Sequence, residues 1–182
     1  MFACRTPRLV LSSRLASPRI LNHIGMAQAC TLYEDIKTNS LYRRSLGTML
    51  SWHVEDSMLF SVSYCQSVKP KVWWAVPAHQ RSLLEAPSLK YIDPFMLTAA
   101  DGNIWDVLAS RRLFFPPTFF LEHGVQITRA EQQEGDFIAT ASVDLYSGMN
   151  LGVNLTSAAN SLTPSWWRLG VEHGACAREL GH

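Results

Sequence analysis

From Phe60 to Tyr64 the chain alternates strictly: Phe60, Val62 and Tyr64 are apolar, and Ser61 and Ser63 between them are polar. A period of two places these sets on opposite faces and predicts a half-buried strand over 58–64. The run Lys71 to Val76, KVWWAV, is a second β-rich stretch, stopped by Pro77. AHQRSLLEA, residues 78–86, predicts a short helix. Residues 94–110 carry a helical pattern broken at Asp101-Gly102, so two short helices are expected there. PTFFLEHG, residues 117–124, begins on a proline and ends on a glycine, the usual start and stop of a helix. Three strands are then expected, in VQITR (125–129), GDFIATASV (135–143) and GVNLTSAANSL (152–162), and helix resumes from Pro164. Strands, then helices, then strands predict a mainly β fold with helices: an antiparallel barrel or sandwich with a helical insertion and a C-terminal helix.

The 182 residues suit one domain with a hydrophobic core, and 47% apolar with 17% charged residues is a globular balance. A net charge of +1 gives no electrostatic reason to expect nucleic acid or a membrane surface as partner. No apolar run reaches the roughly 18 residues of a membrane-spanning helix. Cys4, Cys30, Cys65 and Cys176 are scattered without a C-x-x-C pair, which predicts reduced intracellular thiols. Residues 1–33 hold no Asp or Glu, while Arg5, Arg8, Arg14 and Arg19 alternate with Leu, Ile and Ser. That composition fits a poorly ordered basic leader over 1–31, or a mitochondrial transit segment, ahead of a domain over 32–182.

SWHVED, Ser51 to Asp56, is where chemistry first shows. On a strand, residues two apart project from one face, so His53 and Glu55 could reach one ion. Two histidines and one carboxylate, with open positions, form the usual non-haem Fe(II) oxygenase set. H-x-E by itself is a weak signal, and a polar pair at a strand end is its bland reading.

The neighbouring residues sharpen it. WHVED, then FSVSY (60–64), then KPKVWWAVP (69–77) resembles the core of a jumonji C (JmjC) domain, of the histone lysine demethylase type that pairs JmjN with JmjC. LEHGVQITRAEQQEGDFIAT (121–140) and YSGMNLGVNLTSAAN (146–160) continue the likeness, which covers about residues 41–176. The resemblance implies a cupin-like double-stranded β-helix. It also implies Fe(II) and 2-oxoglutarate as cofactors, oxidative removal of N-methyl groups, a histone tail or other chromatin protein as partner, and a nuclear location. It would make His53 and Glu55 metal ligands. Lys71 would pair with the distal carboxylate of 2-oxoglutarate, Trp73 would wall the pocket, and Ser63 and Asn160 would contribute hydrogen bonds. Tyr42 would lie beside the methyl-lysine.

The same likeness exposes departures. The family's third iron ligand is a histidine, and its position here is Tyr146, in a register fixed by Gly148, Asn150, Gly152 and Asn154. A phenol has an ordinary pKa near 10 against about 6.5 for imidazole, so it is a poor neutral donor near pH 7. Iron binding is therefore expected to be weak or absent. Ser63 replaces an asparagine, Leu50 a phenylalanine, and Ser157 and Ala158 stand in the family's A-E-[SA]-x-N run. Asp144 brings an acid beside the expected pocket rim. Cys176 has no companion ligands, so no structural zinc is expected. The JmjN segment and most of the N-terminal half are not recognisable, and the JmjC domain is expected to be partial. Three readings follow: a catalytically impaired JmjC module acting in chromatin binding or regulation, an active demethylase using the retained His53 and Glu55, and a degenerate copy.

Overall fold

A computed structural model of the chain describes residues 40–161, apart from 56–58, 100–106, 108–110, 112–113 and 142–143. The expected leader and C-terminal helix lie outside these residues, as do Cys4, Cys30, Cys176 and, Val107 apart, the second half of the expected 94–110 helical pair.

Among the described residues, eight strands form two four-stranded antiparallel sheets. They are β1 (Ser40–Arg44), β2 (Met49–His53), β3 (Phe60–Val68), β4 (Lys71–Val76), β5 (Thr128–Gln132), β6 (Phe137–Thr140), β7 (Leu145–Asn150) and β8 (Asn154–Ser161). One sheet runs in the order β1-β8-β3-β6, the other β2-β7-β4-β5. Between β4 and β5 lie a 3-10 turn (Ala78–Gln80) and the helices α1 (Ser82–Leu89), α2 (Pro94–Ala99) and α3 (Pro117–Glu122). This is the mainly β architecture with a helical insertion that the sequence predicts.

The sheets face each other. Gln132 of the second sheet donates to the carbonyl of Ser63 in the first at 3.0 Å. Paired residues in an antiparallel ladder share a face. In the first sheet the pairs Ser61–Asn160, Ser63–Ala158 and Ser61–Thr140 therefore line the side turned inward. In the second sheet Lys71, Trp73 and Ala75 face inward beside Asn150, Gly148 and Tyr146.

The main hydrophobic core is not between the sheets. Trp52, Val76 and Leu145, on the outer face of the second sheet, pack with Leu84, Ile92, Val107, Phe115, Phe119, Phe120 and Val125 of the insertion. Ring contacts knit this layer: Phe115 stacks on Phe119 with centroids 4.6 Å apart, and Trp52 meets Phe120 edge-on at 4.4 Å. A smaller cluster, Val62 and Ala159 with Phe60, Tyr64 and Phe137, covers the outer face of the first sheet. The alternation in β3 is thus real, but both of its faces are covered. Its serine face turns inward because the space between the sheets is polar.

Several boundaries move for physical reasons. β1 has all five residues exposed, so no alternation betrays it. The strand expected over 125–129 begins only at Thr128. Val125 is buried against α3 and its N–H bonds the carbonyl of Phe120, so it belongs to the end of the helix. Gly124, expected as the cap of that helix, holds φ of 76°, where a side chain would be strained. Among the described residues no helix is long and apolar enough to cross a membrane.

Candidate functional site

The site begins with a defect in a strand. β2 pairs with β7 through Leu50–Gly148 and His53–Tyr146, and the register shifts between these pairs. Leu50 and His53 are three apart, yet both stand opposite inward-facing residues. An extra residue in one strand re-aims the side chains around it. Here it sends Trp52 outward into the helical core, where its indole N–H bonds the carbonyl of Phe115 at 2.6 Å, and turns His53 inward. His53 is buried, and its Nδ1 bonds the carbonyl of Ser51 at 2.7 Å. A histidine whose Nδ1 donates to a backbone carbonyl directs Nε2 into the site, the arrangement metal-binding histidines use.

Glu55 was expected on the same strand as His53, but β2 ends at His53 and Glu55 follows it. The carboxylate is nonetheless surrounded. Tyr146, from β7, donates its hydroxyl to Glu55 Oε2. Asn160, from β8 of the opposite sheet, donates to Oε1 at 3.2 Å, and Arg111 of the insertion approaches Oε1 at 3.8 Å. The Tyr146 ring also packs on His53, with centroids 4.3 Å apart, and lies 6.0 Å from Trp73. Tyr146 therefore touches both of the expected metal ligands. Burial, then the negative charge of Glu55 and the hydrogen bond to it, holds its phenol well above the ordinary value, while Arg111 and Thr140 oppose the shift. The hydroxyl keeps its proton at neutral pH.

Lys71 marks the other part of the site. It is buried, and its side chain crosses Gly148, where a Cβ would come within 2.9 Å of Lys71 Cε and 3.2 Å of the Val72 carbonyl. Its ammonium lies 3.7 Å from the centre of the Trp73 ring. Trp73 is fixed in turn by a hydrogen bond from its indole to Gln132 at 2.9 Å. Burial, then the charge of Arg44, brings the lysine pKa down from 10.5 to about 8, with Cys65 acting in the opposite direction.

Ser63 is buried on the inward face, paired with Ala158. Tyr42, half exposed on β1, pairs with Thr156 and so shares the inward face of β8 with Ala158 and Asn160. The guanidinium of Arg44 lies 5.2 Å from its ring. Asp144 engages the start of the helical insertion. Its carboxylate accepts the N–H of Ala78 at 3.3 Å, at the start of the 3-10 turn. Burial raises its pKa, against the hydrogen bond from Ala78 and the charges of Arg81 and His79. His123 bonds the carbonyl of Phe119 at 2.7 Å and packs on that ring, as a helix-end residue.

Three participants had no assigned role in the sequence. Arg111 comes from the insertion, where nothing in its neighbourhood suggests a site. Gln132 bridges the sheets and holds Trp73. Thr140, whose hydroxyl donates to the Ser61 carbonyl at 3.4 Å, acts on the Tyr146 phenol from the opposite sheet. Gln132 is a buried amide in a run of otherwise more exposed polar residues, and its burial is not visible in that run.

The JmjC family, described as "JmjC domain, hydroxylase", matches residues 40–161. The chain belongs to the JmjC family. Among curated relatives, rice Lysine-specific demethylase JMJ706 is 30% identical over 132 residues, 71% of this chain and 15% of that protein. Rat Lysine-specific demethylase 4D is 28% identical over 163 residues, 86% of this chain and 31% of its own length. Chimpanzee Lysine-specific demethylase 5D is 29% identical over 156 residues, 82% of this chain and 10% of its own length. The chain thus spans less than a third of the length of these JmjC relatives.

JmjC demethylases generally use Fe(II) and 2-oxoglutarate. A facial triad needs two imidazoles and a carboxylate. This JmjC chain offers one imidazole, one carboxylate and a protonated phenol whose hydroxyl is bonded to that carboxylate. Among the described residues no three His, Cys, Asp or Glu side chains converge on one point. The donor set does not fit the triad. The dicarboxylate has a better fit, since Lys71 presents a buried ammonium that meets no carboxylate among the described residues.

Proposed function

We propose that this chain is a JmjC module related to lysine demethylases in which demethylation is impaired, and that it acts in chromatin by binding or regulation. The observation that carries this reading is the hydroxyl of Tyr146, which stands at the third ligand position and donates to Glu55, the second ligand. A buried phenol held well above its ordinary pKa must lose a proton before it can bind a cation. Loss or replacement of one ligand cripples metal sites of this kind. A histone tail or another chromatin protein is the partner this reading implies, and the nucleus its location. Tyr42, on the inward-facing side of the edge strand β1, is the residue that would meet a methylated lysine side chain. Lys71 would anchor the distal carboxylate of 2-oxoglutarate.

Activity is the second reading. It is supported by His53, whose Nδ1 is bonded as in a metal ligand, and by the retained Lys71. Turnover separates the two. The parent chain and its Tyr146→His variant are incubated with Fe(II), ascorbate, 2-oxoglutarate and a methyl-lysine histone peptide, and succinate is measured. The first reading expects succinate from the variant alone. Succinate from the parent at a comparable rate overturns it.

A further inference from the structure

Glu55 is a carboxylate with only 12% of its side chain exposed, and a carboxylate that far from water needs donors or a cation. Here both of its oxygens are served by the protein itself. Oε2 takes the Tyr146 hydroxyl, and Oε1 takes the Asn160 amide with the Arg111 guanidinium beside it. These donors come from three separate parts of the fold. Tyr146 is on β7 of one sheet, Asn160 is on β8 of the other, and Arg111 is in the insertion between α2 and α3. Arg111 holds φ of 60°, the one non-glycine positive φ among the described residues. A side chain adopts that conformation only where its surroundings hold it there.

A metal ion held in this position would pull His53, Glu55 and the residue at 146 together. The protein's own side chains already join these positions: the Tyr146 ring packs on His53 and its hydroxyl bonds Glu55. We infer that Tyr146, Asn160 and Arg111 form a built-in replacement for the cation, a brace around Glu55 that joins both sheets and the helical insertion and makes the fold independent of divalent metal. The brace goes beyond the proposed loss of turnover. An inactive site could still bind a metal and depend on it for stability, and a brace forbids that.

Thermal melting of the full chain tests it, in a chelator and in excess Co(II) or Mn(II), which occupy iron sites without iron's redox chemistry. A metal at a hundred times its Kd would raise the melting temperature by about 5 °C or more. The brace predicts that the parent melts at the same temperature in both conditions. Tyr146→Phe, which keeps the ring and removes the hydroxyl, is expected to melt about 5 °C lower in both. Asn160→Ala is expected to lower it as well, and the double variant less than additively, because both donors act on Glu55. Tyr146→His is expected to melt higher in Co(II) than in chelator. A parent melting temperature that rises with Co(II) or falls in chelator overturns the brace, and so does a Tyr146→Phe variant, or an Asn160→Ala variant where that one does not fold, that melts like the parent. None of these readings depends on turnover. A silent enzyme stabilised by metal would remove the brace and leave the proposed function standing.

Discussion

Lys71 carries its ammonium into the space between the sheets, against the face of Trp73 and across Gly148. Burial lowers its pKa to about 8, with Arg44 adding to the effect. The consequence for stability has a definite sign. The unfolded chain holds this proton up to about 10.5, and the folded chain releases it near 8. Between those values the unfolded state binds more protons, so stability rises with pH across that window and is flat below it. A shift of this size amounts to about 3 kcal/mol of cost at neutral pH. Lys71→Met is therefore expected to raise the urea midpoint at pH 7, and most of that difference is expected to vanish by pH 10. An unchanged midpoint at pH 7 would show that burying the ammonium carries no such cost. A buried ammonium without a carboxylate beside it leaves the inward face positively charged at neutral pH. That Lys71 and Trp73 share one face of β4 was legible, because their motif is short and ordered. Arg111 was not, because its role depends on where the insertion folds back, and no local pattern encodes that.

The edge strand β2 decides which residues become core and which become site. Its register shift divides adjacent residues: Trp52 goes to the helical layer and His53 to the inward face. Sequence periodicity places His53 and Glu55 on one strand face, and in the structure each lies against Tyr146. It does not see that the strand ends at His53, or that an irregularity is needed to turn His53 inward. Trp52 is fully buried with its N–H bonded to Phe115, and it carries the outward half of this division. Trp52→Ala is expected to cost about 4 kcal/mol in urea unfolding. It is also expected to broaden the His53 ring resonances, as the register of β2 loosens. A loss below about 1 kcal/mol would mean that the helical layer does not anchor the strand. β1 illustrates the opposite limit: with every residue exposed, its only encoding is the pairing partner β8, far along the chain.

Across the whole molecule, the ordered succession of motifs made the fold legible. The distribution of polarity was harder to read. Apolar residues cover the outer faces of both sheets, and the space between them is lined by Ser61, Ser63, Lys71, Gln132, Tyr146, Asn150 and Asn160. Alternation alone reports which residues share a face, not which face turns inward. A fold built around a ligand site inverts the ordinary expectation that the apolar face does. The central claim is that this inward space holds a Tyr146–Glu55 pair in place of an iron ion. Iron stoichiometry tests it most directly: the parent chain is incubated anaerobically with Fe(II), desalted and assayed for bound iron beside its Tyr146→His variant. The account predicts that the variant retains iron and the parent retains almost none. A parent that emerges with close to one iron per chain would contradict it.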